Sequence, residues 1–148
     1  MLSQTALMLA GLWLFNGVVV SPLLGSAAIR RLLGRPTKLL AANYLLWTAV
    51  LAVTQFLAVA LPVIVIRGGR LGGLDFFSWL GGLSIGNATL WAIGGAIGAS
   101  QRGWTPKKET ELLDGRLVLG LGVLWYALAV GFALLCILLI GIAFFYPG

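Results

Sequence analysis

Four long apolar runs, none of which contains a lysine, arginine, aspartate or glutamate, dominate this sequence. They cover approximately residues 5–29, 39–66, 76–100 and 117–146. About 20 mostly apolar residues are enough for a helix to cross the hydrocarbon core of a bilayer. Barrel strands are shorter and alternate apolar with polar residues, which these runs do not do. The runs therefore predict an all-α integral membrane bundle of four transmembrane helices joined by short loops.

The composition indicates that lipid is the solvent of this chain. Hydrophobic residues make up 60% of its 148 residues and charged residues 9%, whereas a soluble domain carries about 25% charged residues. A short soluble chain cannot bury so much apolar surface. Because the loops are short, we expect one transmembrane domain over residues 1–148. The first run lacks a basic n-region and is too long for a signal peptide, so we expect it to be retained.

The basic residues are confined to the three loops, and eight of the ten lie in the first and third. The positive-inside rule therefore predicts that these two loops are cytoplasmic and that both termini are outside. We expect the same side chains to contact anionic lipid headgroups. We expect no binding of nucleic acid, because the charges flank the spans with only Trp104 as a stacking aromatic. The eight residues are Arg30, Arg31, Arg35, Lys38, Arg102, Lys107, Lys108 and Arg116.

The third loop, QRGWTPKKETELLDGR, predicts a short interfacial helix over residues 106–114. Thr105 suits the N-cap of such a helix and Pro106 its first position. Gly115 would then end it. The alternative is a helix that continues directly into the fourth span and tolerates the glycine.

The sequence contains no recognisable catalytic or metal-binding set. There is no histidine, one cysteine and four acidic residues, which all lie in loops. Histidine is the commonest general base and the commonest metal ligand, and no nucleophile and base can be paired. We therefore predict that the chain is not an enzyme and holds neither a metal nor a cofactor.

Three neutral polar residues lie near the middle of separate spans. They are Asn16, Gln55 and Asn87, and the fourth span has no comparable carboxamide. Carboxamides are costly in hydrocarbon unless they are hydrogen-bonded, so we expect all three to face the bundle interior. They form either an interhelical hydrogen-bond cluster, which their neutrality favours, or a midplane site for an ion or small solute. Pro22 and Pro62 can kink the first and second spans.

The third span is poor in large side chains, and its small residues form two rows with a spacing of four. Positions two apart are separated by about 200° around a helix, so the rows lie on opposite sides. Small rows let helix backbones approach closely, which predicts a neighbour on each side. The alternative is the general abundance of glycine and alanine in transmembrane helices. One row is Gly82, Gly86, Gly94 and Gly98, interrupted by Leu90, and the other is Ser84, Ala88, Ala92, Ala96 and Ser100.

These features favour a non-catalytic membrane protein that acts as an accessory, assembly or scaffold subunit of a membrane complex, or as a homo-oligomer. Its partners would be the lipid bilayer and other subunits or copies packed against the third span. The alternative is a small channel or transporter that uses the polar level at Asn16, Gln55 and Asn87. A third hypothesis is a lipid-interacting protein that uses its basic loops.

Overall fold

The fold is known from a computed structural model that describes residues 2–34, 37–67 and 74–145. Within these ranges every regular element is helical and no strand occurs, which confirms the predicted all-α class. The elements are α1 (Leu2–Val20), a 3-10 helix (Ser21–Gly25), α2 (Ala27–Leu32), α3 (Leu40–Arg67), α4 (Leu74–Gln101) and α5 (Gly115–Phe145).

Four helical segments in the described part of the chain are long and apolar enough to cross a membrane. This confirms the predicted number of spans and a multi-pass architecture. The sidedness of the termini stays a prediction. The segments are Gln4–Gly25, Leu40–Ala60, Phe77–Gln101 and Gly115–Phe144.

The first span differs from the single helix predicted over residues 5–29. Its α-helix ends at Val20, and Pro22 lies in the first turn of the 3-10 helix that follows. Proline lacks the backbone N–H that a continuing α-helix needs. The backbone is extended at Ser26, and α2 begins directly afterwards. In the second span, by contrast, α3 continues past Pro62 to Arg67.

The helix predicted over residues 106–114 is wrong, because this segment consists of turns. The backbone N–H of Gly115 donates to the Pro106 carbonyl at 2.7 Å, which folds the segment back on itself. Gly115 is the first residue of α5 and does not end a preceding helix. Asp114 precedes it as the N-cap, and its carboxylate accepts from the Arg116 N–H at 2.7 Å. The local signals for a helix are outweighed by hydrogen bonds between this loop and α2.

The first and third loops meet at one end of the bundle, which we call the basic end. The Arg31 guanidinium in α2 forms a bidentate ion pair with Glu111 and also donates to the Thr105 carbonyl at 3.1 Å. The indole N–H of Trp104 donates to the Ala28 carbonyl at 3.1 Å. The hydrogen bond from Arg31 holds the pKa of the Glu111 carboxyl at about 2, well below its usual 4.5. The ion pair therefore fastens the third loop to α2.

The spanning helices pack in the cyclic order α1, α3, α4, α5, and α5 returns to α1. Their small apolar core contains Val19, Ala88, Tyr126 and Val130, with the Phe15 ring edge-on to Tyr126 at 6.3 Å. Many large apolar side chains are instead exposed on the outside of the bundle, which suits helices that are surrounded by lipid.

Candidate functional site

The centre of the bundle is a chain of hydrogen bonds to which each spanning helix contributes one side chain. The Tyr126 hydroxyl donates to Asn16 Oδ1 at 2.7 Å, with Gln55 Oε1 3.1 Å away as a second acceptor. Asn16 Nδ2 donates to Gln55 Oε1 at 2.9 Å. Gln55 Nε2 then donates to Ser84 Oγ at 2.9 Å. We call Asn16, Gln55, Ser84 and Tyr126 the polar tetrad.

The polar tetrad is shielded from both lipid and water. Each of its side chains is at most 3% exposed. A buried carboxamide without a partner would cost several kcal/mol in hydrocarbon, whereas a bonded one links helices. The tetrad therefore holds the four spanning helices together through hydrogen bonds.

Asn87 does not join Asn16 and Gln55 as predicted. Its amide donates to Thr54 Oγ1 at 3.2 Å, and the Trp91 indole N–H donates to the same hydroxyl at 2.9 Å. The Trp91 ring also packs edge-on against Trp47, with the ring centroids 5.7 Å apart. Thr54, Asn87 and Trp91 are partly buried, and their hydrogen bonds make them a second polar group, which lies between α3 and α4.

Tyr126 is the tetrad member that the sequence does not predict, because a hydroxyl at the end of an aromatic ring is a weaker signal of a buried polar site than a carboxamide. Tyrosine is usually enriched at the membrane interface. Tyr126 instead lies inside a long Leu- and Val-rich run. Its position away from the ends of that run is the sequence feature that indicates a buried hydroxyl. Ser84 was recognised as a small packing residue, but its hydroxyl also has a bonding role.

The two small rows of α4 have different environments. In the row that begins at Ser84, that residue and Ala88 are buried against the other helices, Ala92 and Ala96 are partly buried, and Ser100 is exposed. The opposite row lies on the outside of the bundle, and we call it the glycine face. An added Cβ would meet nothing within 4 Å at any of its four glycines, Gly82, Gly86, Gly94 and Gly98. Only one of the two predicted neighbours is thus found within the described chain.

A cavity of about 1050 Å³ extends from the second polar group, formed by Thr54, Asn87 and Trp91, to the basic end. Its inner end is lined by Asn87, Thr54 and Trp91, and its outer end by Arg31 and Arg102. The walls between them are mainly apolar and come from α3, α4 and α5, with α2 and the third loop closing the basic end.

The other described basic residues of the first and third loops lie around the basic end. Arg30 donates to the carbonyls of Leu24 and Gly25 at 2.8 and 3.3 Å, and so caps the 3-10 helix. Arg35 lies outside the described residues. Exposed side chains complete the set, namely Lys38, Arg102, Lys107, Lys108 and Arg116. These groups are accessible to headgroups if this end meets the membrane surface.

No family model, curated protein or solved structure matches this chain. The features of the described chain that can support a function are the polar tetrad, the glycine face, the cavity and the basic end.

Proposed function

We propose that this protein is a non-catalytic membrane subunit that associates laterally with another transmembrane helix through the glycine face of α4. The observation that carries this proposal is the open space along that face. The opposite row of the same helix is already used for packing, since Ser84 and Ala88 are buried inside the bundle. The glycine face is thus a small-residue surface with no neighbour in the described chain.

The length of the glycine face suits a partner that also crosses the membrane. From Gly82 to Gly98, α4 rises about 24 Å at 1.5 Å per residue, compared with about 30 Å for the hydrocarbon core. The face contains two Gly-xxx-Gly steps, one on each side of Leu90, which is 71% exposed. Glycines at this spacing let two helix backbones approach closely, and van der Waals packing then drives association in lipid.

The small extramembrane portion also supports an accessory or scaffold role over an enzymatic one. The third loop is attached to α2, since Arg31 donates hydrogen bonds to Thr105 and Glu111. The prediction that the chain has no catalytic site, metal or cofactor stands beside this proposal and needs its own tests. The partner is either a second copy of this chain or a different membrane subunit.

Purification of the full chain from its native membrane in a mild detergent tests this proposal. We expect the protein to elute in an assembly larger than one chain, and the composition of that assembly identifies the partner. Gly86→Leu fills the open space at the second glycine of the first Gly-xxx-Gly step, so we expect it to release the partner. Elution of the wild-type protein as a single chain would overturn the proposal.

The transport alternative requires a path past the polar tetrad. Because all four tetrad side chains are buried and bonded to one another, a solute that crossed the bundle would have to separate them. Flux assays in liposomes address this alternative directly. A flux that is abolished by Asn87→Leu would favour transport over an accessory role.

A further inference from the structure

The cavity at the basic end combines three features that together define a class of ligand. Aromatic and aliphatic side chains form its walls, hydroxyl and amide groups lie at its inner end, and two arginines lie at its outer end. We propose that it is a binding site for one anionic glycerophospholipid. The headgroup phosphate would lie near Arg102 and Arg31, and the acyl chain would extend towards Trp47 and Trp91.

The length and lining of the cavity suit an acyl chain. Asn87 and Arg102 lie near its two ends and are 15 positions apart along the chain, which is about 22 Å at 1.5 Å per residue. The walls between these ends are mainly apolar. An acyl chain can therefore run along the apolar walls while its headgroup stays at the basic end.

The charges at the outer end favour an anionic headgroup. Among the described residues, no aspartate or glutamate lines the cavity. Among the described residues, Arg102 forms no ion pair, because the only acidic side chain paired with a base is Glu111, which pairs with Arg31. Clusters of basic side chains just beyond a span attract anionic lipids.

Native mass spectrometry of the full chain, delipidated in detergent, tests the proposal. The probes are phosphatidylglycerol and phosphatidylcholine with identical acyl chains, and sn-glycerol 3-phosphate as the headgroup alone. We expect one tightly bound phosphatidylglycerol per chain, weaker binding of phosphatidylcholine, and no detectable binding of glycerol phosphate. Equal binding of the two lipids, or equal binding of glycerol phosphate and phosphatidylglycerol, would overturn the proposal.

Two pairs of variants locate the site. Gly95 lines the cavity and has open space at its Cβ, so we expect Gly95→Phe to abolish lipid retention, whereas Gly82→Leu on the glycine face leaves it unchanged. Arg102→Gln removes one positive charge near the headgroup, so we expect it to weaken phosphatidylglycerol binding about fivefold. The matched control Arg116→Gln lies at the same end but outside the cavity lining. If both arginine variants bind like the wild-type protein, the assignment of the headgroup is wrong.

The cavity shares an edge with the glycine face, because Leu90, Gly94 and Gly98 also line the cavity. The tests therefore use residues that belong to only one of the two surfaces. We expect Gly95→Phe to lose lipid binding and keep the mass of the assembly. We expect Gly86→Leu to lose the partner and keep lipid binding. These opposite results separate the two proposals.

Discussion

Replacement of Gln55 by leucine is predicted to destabilise the bundle more than any single change of similar size on its surface. Gln55 donates to Ser84, accepts from Asn16 and shares the hydroxyl proton of Tyr126. Interhelical hydrogen bonds in membranes contribute about 0.6 kcal/mol each, and at most about 1.7. Gln55→Leu removes two full hydrogen bonds and a share of a third, so we expect it to lower the free energy of unfolding by about 1.5 kcal/mol. The leucine preserves much of the volume, so the loss reports mainly on the hydrogen bonds.

The assay is unfolding by SDS in mixed micelles, followed by the fluorescence of the six tryptophans. Ser84→Ala removes one bond of the tetrad, so we expect about 0.6 kcal/mol, less than half of the effect of Gln55→Leu. Thr89→Val is the control, because the Thr89 hydroxyl donates within its own helix to the Ile85 carbonyl. If Gln55→Leu and Thr89→Val shift the transition equally, the tetrad does not stabilise the fold.

Three further predictions concern the basic end and the start of α5. An added Cβ at Gly115 would lie 2.8 Å from both Ala28 and Trp104, so Gly115→Ala is expected to cost about 1–3 kcal/mol in the SDS assay. Gly120→Ala in the same helix meets open space and should cost nothing, and equal effects would refute the close approach. Asp114→Ala removes an N-cap and should cost about 1 kcal/mol, which Asp114→Asn should retain. The folded pKa of Glu111 is lowered to about 2 from 4.5, so its ion pair stabilises above pH 4.5 and is lost as the pH falls towards 2. The melting temperature of the wild-type protein should therefore exceed that of Glu111→Gln at pH 7 and approach it near pH 2, and a gap that is independent of pH would contradict this role.

The fold class was predictable because the runs without charge are long and unambiguous. The third loop was not, because its local signals compete with a distant partner. Thr105, Pro106 and Gly115 resemble helix boundaries, but Glu111 pairs with Arg31, which is 80 positions away. Such a pairing leaves no periodic signal in the sequence.

The functional surfaces were only partly predictable. The spacing of small residues on α4 identified two opposite rows, but it did not indicate which one faces the bundle. Burial of Ser84 and Ala88 decides that question. The cavity had no signature at all, because its lining is drawn from helices that are far apart in sequence. Asn87 was recognised as an inward-facing polar residue, but its partner Thr54 depends on the relative rotation of α3 and α4.

The most direct test of the account is the mass of the purified assembly for two matched glycine variants. Gly86 lies on the glycine face, whereas Gly131 on α5 is equally exposed and open but belongs to no glycine row. We predict that Gly86→Leu reduces the assembly to a single chain and that Gly131→Leu keeps the wild-type mass. An unchanged mass for Gly86→Leu would show that the glycine face of α4 is not the surface through which this protein associates.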